Sequence, residues 1–372
     1  MSPPPSRRAL LRSGAALAGT AGVPTRGPSF VLPQALRVYT QNLGLGTRLS
    51  RLIDRRSRTV DPENVYRRYV DVRDSGVPER MAAVAERIAE ERPALVALQE
   101  AALVRRGPAD GDDDSNAETV VFDFLDELLG ALSSLDGPDY RPAAVVTNAD
   151  EEFVADAGTE RFDLRLTDRD VVLAREDVVV DATETANFAL NAQLTLRDGR
   201  RIVATRGYAL VEARLDGSPL TFCSTHLSST SSDIREAQAA ELADQVRARD
   251  GPVVVGGDLN SAPTDGEQSA YALLTDPLRD VWSGEGPTCC QFSNLTNEQS
   301  RLDRRIDAVL VRGAVETRGS KRVFTDPESR VRTTVDGETV RRWPSDHAGV
   351  FADLVVTGET DLFSALTGLL RR

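Results

Sequence analysis

The apolar positions of this chain change period several times, and each change predicts an element. Leu36–Asn42 is a short β-prone run. Pro78–Arg92 then places Met81, Val84, Ala85 and Ile88 on one face, the spacing of an amphipathic helix that Pro93 closes. Ala94–Gln99 is a compact apolar strand, and Val121, Leu125, Leu128, Leu129 and Leu132 form a second helical stripe. From Tyr140 to His226 the pattern turns to β. Arg161–Arg175, Asn187–Leu196, Arg201–Leu215 and Pro219–Thr225 are β-branched and often alternating. Asp198-Gly199 and Asp216-Gly217 punctuate them as hairpin turns, which predicts antiparallel meanders. A helix follows from about Asp233, where Asp233 and Glu236 resemble a capping box. Pro252–Gly256, Ile306–Val311 and His347–Val356 supply three more strands. No repeat and no long linker breaks this order, so the expected class is mixed α/β with strongly antiparallel sheets.

Composition narrows the picture. At 372 residues and 40% hydrophobic, the chain has ample material for a sizeable core. Mean hydropathy is −0.30, and no run approaches the roughly 18 apolar residues of a membrane span, which argues against an integral membrane protein. The formal net charge is −13, and Lys321 is the only lysine among 45 cationic residues. Such acidity repels nucleic acid and anionic membranes at long range. High salt would blunt that objection, because the screening length falls to about 3 Å at 1 M.

Residues 1–30 read as an export signal or a disordered leader, and 31–372 as one domain. Ser6-Arg7-Arg8-Ala9-Leu10-Leu11-Arg12 followed by an Ala/Gly-rich stretch resembles a twin-arginine export signal, so an exported, extracellular or cell-surface protein is expected, with a cytoplasmic one as the alternative. Cys223, Cys289 and Cys290 lack zinc spacing and read as buried free thiols, adjacent cysteines rarely pairing with each other, with a bridge from Cys223 to one of the vicinal pair as the alternative. The acidic tract in Gly107–Glu118 reads as a solvated loop, and Asp361–Leu370 as a packing helix. Nothing indicates a stable protein partner, and a monomer is expected.

Polar residues mark the strand ends. Asn42, Glu100, His226 and the pair Asp258 and Asn260 follow strands, whereas Asp307 and Asp346-His347 precede them. If the last two strands run antiparallel to the other four, all these groups meet on one rim. Glu100, Asn42 and the aspartates are hard oxygen donors suited to Mg2+ or Mn2+. The chain has only two histidines, His226 and His347, and a carboxylate beside an imidazole, such as Asp307 beside His347, favours the cation. A hard divalent metal, imidazoles and an Asp/Asn pair suit hydrolysis of a phosphate ester.

The segments Thr40-Gln41-Asn42-Leu43-Gly44, Leu98-Gln99-Glu100, Ser224-Thr225-His226-Leu227, Gly256-Gly257-Asp258-Leu259-Asn260, Arg305-Ile306-Asp307 and Ser345-Asp346-His347 carry a family likeness. Each is weak alone, but together and in this order they resemble the motif set of the endonuclease/exonuclease/phosphatase, or deoxyribonuclease-I-like, superfamily. The resemblance implies a four-layer αββα sandwich of two packed, mainly antiparallel sheets, with the site at one end. It implies Glu100 as main metal ligand, with Asn42 and Asp346 contributing to the metal site. Asp258 would activate water, and Asn260 would hold that water or a phosphoryl oxygen. Asp307 would pair with His347, which acts on the phosphate, while His226 would contact a phosphate oxygen or serve the leaving group. Abasic-site endonucleases generally lack this last histidine, so His226 points to other branches. Leu43-Gly44 lacks the nearby acidic residue some nuclease branches use as a second metal ligand. Arg206 is a weaker candidate for phosphate, with a strand-edge salt bridge as its alternative.

The expected activity is therefore metal-dependent hydrolysis of phosphate esters, with a phosphodiesterase or nuclease first. A phospholipase C or sphingomyelinase-like enzyme or a small-molecule phosphatase is the alternative. A catalytically inactive binding module is the third class, disfavoured by the complete residue set.

Overall fold

A computed structural model describes residues 34–109, 116–282, 284 and 286–356. The stretch expected to be a leader, the centre of the acidic tract and the Asp361–Leu370 segment lie outside these residues. Two large sheets face each other. The first is built from β1 (Gln34–Asn42), β2 (Leu95–Gln99), β3 (Leu103–Pro108), β4 (Thr119–Asp123), β5 (Tyr140–Asp156), β6 (Arg161–Arg175), and later β13 (Val315–Val323) and β14 (Gly349–Val356). The second contains β7 (Val179–Asn187), β8 (Gly207–Leu215), β9 (Ser218–His226), β10 (Val253–Asp258), β11 (Arg279–Asp280) and β12 (Asp307–Arg312). Their orders are β13-β14-β1-β2-β6-β3-β4, with β5 also on β6, and β11-β12-β10-β9-β8-β7. Only β1/β2 and β9/β10 are parallel, so each sheet is mixed and mainly antiparallel.

Strand alternation explains the layers. Val38, Leu95, Ala97 and Val172 point inward and meet Val211, Phe222, Val254 and Val309 of the facing sheet. Their neighbours Tyr39, Val96, Leu98 and Leu173 point outward, against helices α2 (Val77–Glu91) and α3 (Phe124–Ser133). On the other side, Leu210, Cys223, Val255 and Leu310 receive Leu242 and Val246 of α4 (Ser232–Arg247) and Leu274 of α5 (Ala270–Thr275). The result is a four-layer αββα sandwich. Among the described residues, no helix is long and apolar enough to cross a membrane.

Local differences from the sequence expectation have identifiable causes. Val121 belongs to a strand. The helix starts only at Phe124, where the side chain of Asp123 accepts from the amides of Leu125 and Asp126. Asp233 is in the first turn of α4 rather than at its cap, which is Ser231. Asn187–Leu196 is not one strand but the end of β7, a loop and a short strand, Ala192–Thr195. The span Arg201–Leu215 likewise splits, at Thr205-Arg206. An additional helix, α1, which precedes α2, spans Pro62–Asp74 behind a polar, weakly periodic sequence.

At one end the sheets come close. A Cβ on Gly256 would lie 2.9 Å from the Ala97 Cβ, and one on Gly257 only 2.4 Å from the Thr225 carbonyl oxygen. The Gly256-Gly257 pair thus lets β10 approach both β9 and the facing sheet just before Asp258.

Candidate active site

The strand register meets the condition for one common rim. His226 and Asp258 are level on parallel β9 and β10, and Asp258 is level with Asp307 on antiparallel β12. In the other sheet Asn42 is level with Gln99, and β14 starts beside Thr40. Two residues just past strand ends, Glu100 and Asn260, hold φ of +54° and +48°. The left-handed turn swings each side chain away from the sheet, a conformation Asn tolerates and Glu adopts at a cost.

Asp258 is the hub. One carboxylate oxygen accepts from the Asn260 amide at 2.9 Å, and the other from Asn42 Nδ2 at 3.1 Å. His226 Nε2 lies 3.4 Å from that second oxygen and His347 Nε2 3.9 Å. Burial, then the Asp307 charge, push the Asp258 pKa up to about 6, against the pull of His347 and of its two donors. It is still ionised at neutral pH. Asn42 also accepts from the Gly44 amide at 2.9 Å, so it ties the first loop to Asp258.

The two histidines differ in charge. His347 Nδ1 is 3.0 and 3.1 Å from the two oxygens of Asp307. Burial opposes its cation, but Asp307 and Asp258 outweigh it and the pKa is raised well above the ordinary value. His226 is buried, faces Arg206 and His347, and has its pKa driven well down, so it is neutral. Asn260 Nδ2 donates to the Leu227 carbonyl at 2.9 Å and is 3.1 Å from His226 Nε2. With that nitrogen accepting, the His226 proton resides on Nδ1, which has no protein partner among the described residues.

The carboxylates on the other side suit a hard cation. Gly44 holds φ of +64°, and a Cβ there would lie 2.3 Å from Asp346 Oδ1. The next amide, Leu45, donates to Glu100 Oε2 at 3.1 Å. Glu100 and Asp346 therefore flank one tight turn. Asp346 Oδ1 is buried without a partner. Burial raises the Glu100 pKa to about 7, with Asp346 and Asp168 adding repulsion. Crowded, under-compensated carboxylates of this kind fit a divalent metal. Asp258, Asp307 and His347 also place ligand-type atoms within 4.8 Å of one another. There the His347 Nδ1 is already engaged by Asp307.

All nine residues expected from the sequence are gathered at this end except that Arg206 does not point freely at substrate. It ion-pairs with Asp168, as its salt-bridge alternative foresaw. Sequence reasoning missed several contributors. Asp168 and Asp170, two apart on β6, share a face, and their i, i+2 placement in an apolar strand was the available signal. Both oxygens of Asp170 are buried without a hydrogen bond, and its pKa is raised by burial and by Asp168. Arg80, fully buried, donates to the carbonyls of Leu43 and Gly44 and to that of Pro344 at 2.9 Å, clamping both metal-side loops. Thr288 Oγ1 accepts from the amides of Ile306 and Asp307, both at 3.0 Å. Beside it lie the adjacent Cys289, which is buried, and Cys290, which is exposed. Cys289 also bridges to Arg304 and His347, so the backbone of this segment is pinned at both sides. Cys223 is a buried free thiol, as expected.

The sequence matches the model of the Endonuclease/Exonuclease/phosphatase family over residues 64–347. No curated protein matches it. Among solved structures, an endonuclease/exonuclease/phosphatase family protein from Bacteroides thetaiotaomicron is similar at 16% identity and TM-score 0.57, covering 87% of this chain and 99% of its own. A mannosyl-6-phosphatase of the same species is similar at 17% identity and TM-score 0.55, covering 86% and 99%. D. rerio TDP2 complexed with a single-strand DNA product is similar at 14% identity and TM-score 0.51, covering 86% and 98%. These likenesses establish the fold.

Proposed function

The chain belongs to the endonuclease/exonuclease/phosphatase family of phosphate-ester hydrolases, and we propose that it cleaves its ester by divalent-metal-assisted, in-line attack of water on phosphorus. The observation that carries this reading is the meeting of Asn42, Glu100, His226, Asp258, Asn260, Asp307, Asp346 and His347 at one end of the sandwich. Glu100 and Asp346, with Asn42 beside them, would hold Mg2+ or Mn2+, which would neutralise phosphoryl oxygens when bound. Asp258, ionised and fixed by Asn42 and Asn260, takes the proton of the attacking water. Asn260 orients that water. Cationic His347, fixed by Asp307, donates from Nε2 to the phosphoryl group as negative charge grows. Neutral His226, beside Asp258 and Asn260, would contact a phosphate oxygen or serve the departing oxygen.

The net charge of −13 weighs against a long polyanionic substrate, and a small ester is the better fit. Purified protein with Mg2+ or Mn2+, offered plasmid DNA, RNA, a bis-ester and small phosphomonoesters across a salt series, tests both points. The expected result is turnover of small esters that His347→Ala and Asp258→Ala abolish. Turnover that survives both substitutions would sink the mechanism. Preferred cleavage of DNA or RNA would instead make the protein a nuclease.

A further inference from the structure

A cavity of about 330 Å³ opens directly beside the metal side of the site. Glu100, Asp168 and Arg206 form one end of it. The rest of its wall is largely apolar: Leu49 and Ile53 from the segment before α1, Tyr69 of α1, Phe153 of β5, Leu164 of β6 and Ile202 behind them. Such a volume is within the range of small-molecule sites, and an apolar wall with a few polar groups at one end is their usual build.

The arginines around it do not make it an anion groove. Arg206 is paired with Asp168, Arg165 with Asp150 at 2.5 Å and Arg68 with Asp71 at 3.0 Å. The charge of these three is already answered within the fold, and the remaining lining arginine, Arg55, is exposed to solvent, so a second phosphate gains little there. Apolar surface is what remains to be covered. Leu49, Leu52, Ile53 and Tyr69 stay partly exposed, although Leu52 and Tyr69 pack against buried neighbours such as Val65 and Phe153.

From this geometry we infer that the cavity receives the apolar part of the substrate, and that the hydrolysed ester is one whose alcohol carries a compact aryl or alkyl group. The inference rests on the phosphate-ester reading of the adjoining site. Phosphate bound beside Glu100 points its ester oxygen toward the cavity, and the organic group fills it. Water adds to phosphorus, the P–O ester bond breaks, and the alcohol leaves with one proton of that water. Leu49 and Ile53 are then specificity-determining residues that take no part in the chemistry.

Calorimetric binding of methyl-, hexyl- and benzylphosphonate to the full-length protein with Mg2+ tests this without requiring turnover. Hexyl- or benzylphosphonate should bind at least tenfold more tightly than methylphosphonate, as expected when apolar area leaves water. Whichever of the two gains more identifies an alkyl or an aryl alcohol. Leu49→Trp and Ile53→Trp, both at partly exposed positions, should erase the preference while methylphosphonate affinity stays unchanged, which also reports an intact fold. Equal binding of all three compounds, or a preference that survives both substitutions, overturns the inference. A preference found together with no turnover of any ester would leave the pocket standing and remove the hydrolase reading.

Discussion

His226 and His347 lie at the ends of different sheets, both buried, both within 4 Å of the same Asp258 oxygen. One is flanked by an amide, Asn260, and faces the Arg206 cation. The other is held by both oxygens of Asp307. Burial alone would make each neutral, and only the buried carboxylate reverses that for His347. The contrast shows how a fold can derive a fixed cation and a neutral donor from one side-chain type, with the second partner deciding which.

The contrast is most severely strained by exchanging each histidine for a neutral amide. His347→Gln should lose roughly 10³-fold in kcat/KM, because a cation aimed at developing charge disappears. His226→Gln should retain more activity, losing roughly 10²-fold, because a neutral donor is replaced by another. Equal losses in steady-state kinetics would erase the distinction.

Asp307→Asn comes next, with an expected loss of roughly 10²-fold. Without its anion the His347 pKa falls, so the alkaline limb of the pH–rate profile moves toward acid. The stability this pair contributes is present below the ordinary histidine pKa and is lost as pH rises through the raised one. Asp307→Asn should therefore lower Tm more at pH 6 than at high pH. An unmoved alkaline limb would mean that Asp307 does not set the charge of His347.

The metal side gives a smaller effect. Mg2+ should raise Tm, and the rise should shrink as pH falls through about 7, where the Glu100 carboxylate takes up its proton. Glu100→Gln should remove most of that rise. Gly44→Ala, which directs a methyl group at Asp346 in a left-handed turn, should weaken Mg2+ binding roughly tenfold in calorimetry. The smallest effect belongs to a pair in water. Arg247→Ala, which breaks exposed contacts to Asp244 and Asp276, should leave turnover unchanged and Tm nearly so. A large loss there would show that the site responds to charges far from it.

Much of the fold was legible because it depends on local periods. β1, α2, β2 and β9 lie within a residue or two of the runs that predicted them, since each buries a clean face. α1 escaped because its few apolar positions do not outweigh its charges, and β4 was absorbed into a helical stripe because Val121 happens to keep step with Leu125. In the site, residues closing apolar strands stood out by their spacing. Asp168 and Asp170 did not, because they interrupt the middle of β6 and nothing local reveals that β8 brings Arg206 next to them. Arg80 carries no local signal that sets it apart, and only the fold buries it under the turns at Gly44 and Pro344.

By itself the sequence determined the elements, the order of the six motifs and the residue types at the rim, because period and strand ends are properties of neighbours in the chain. Tertiary structure alone decided that His226 is neutral, that Asp168 and Asp170 crowd toward Glu100, and that an apolar cavity adjoins them. Those properties depend on burial and on partners remote in sequence, such as Arg206 for His226 and Asp168 for Glu100. No local pattern encodes either.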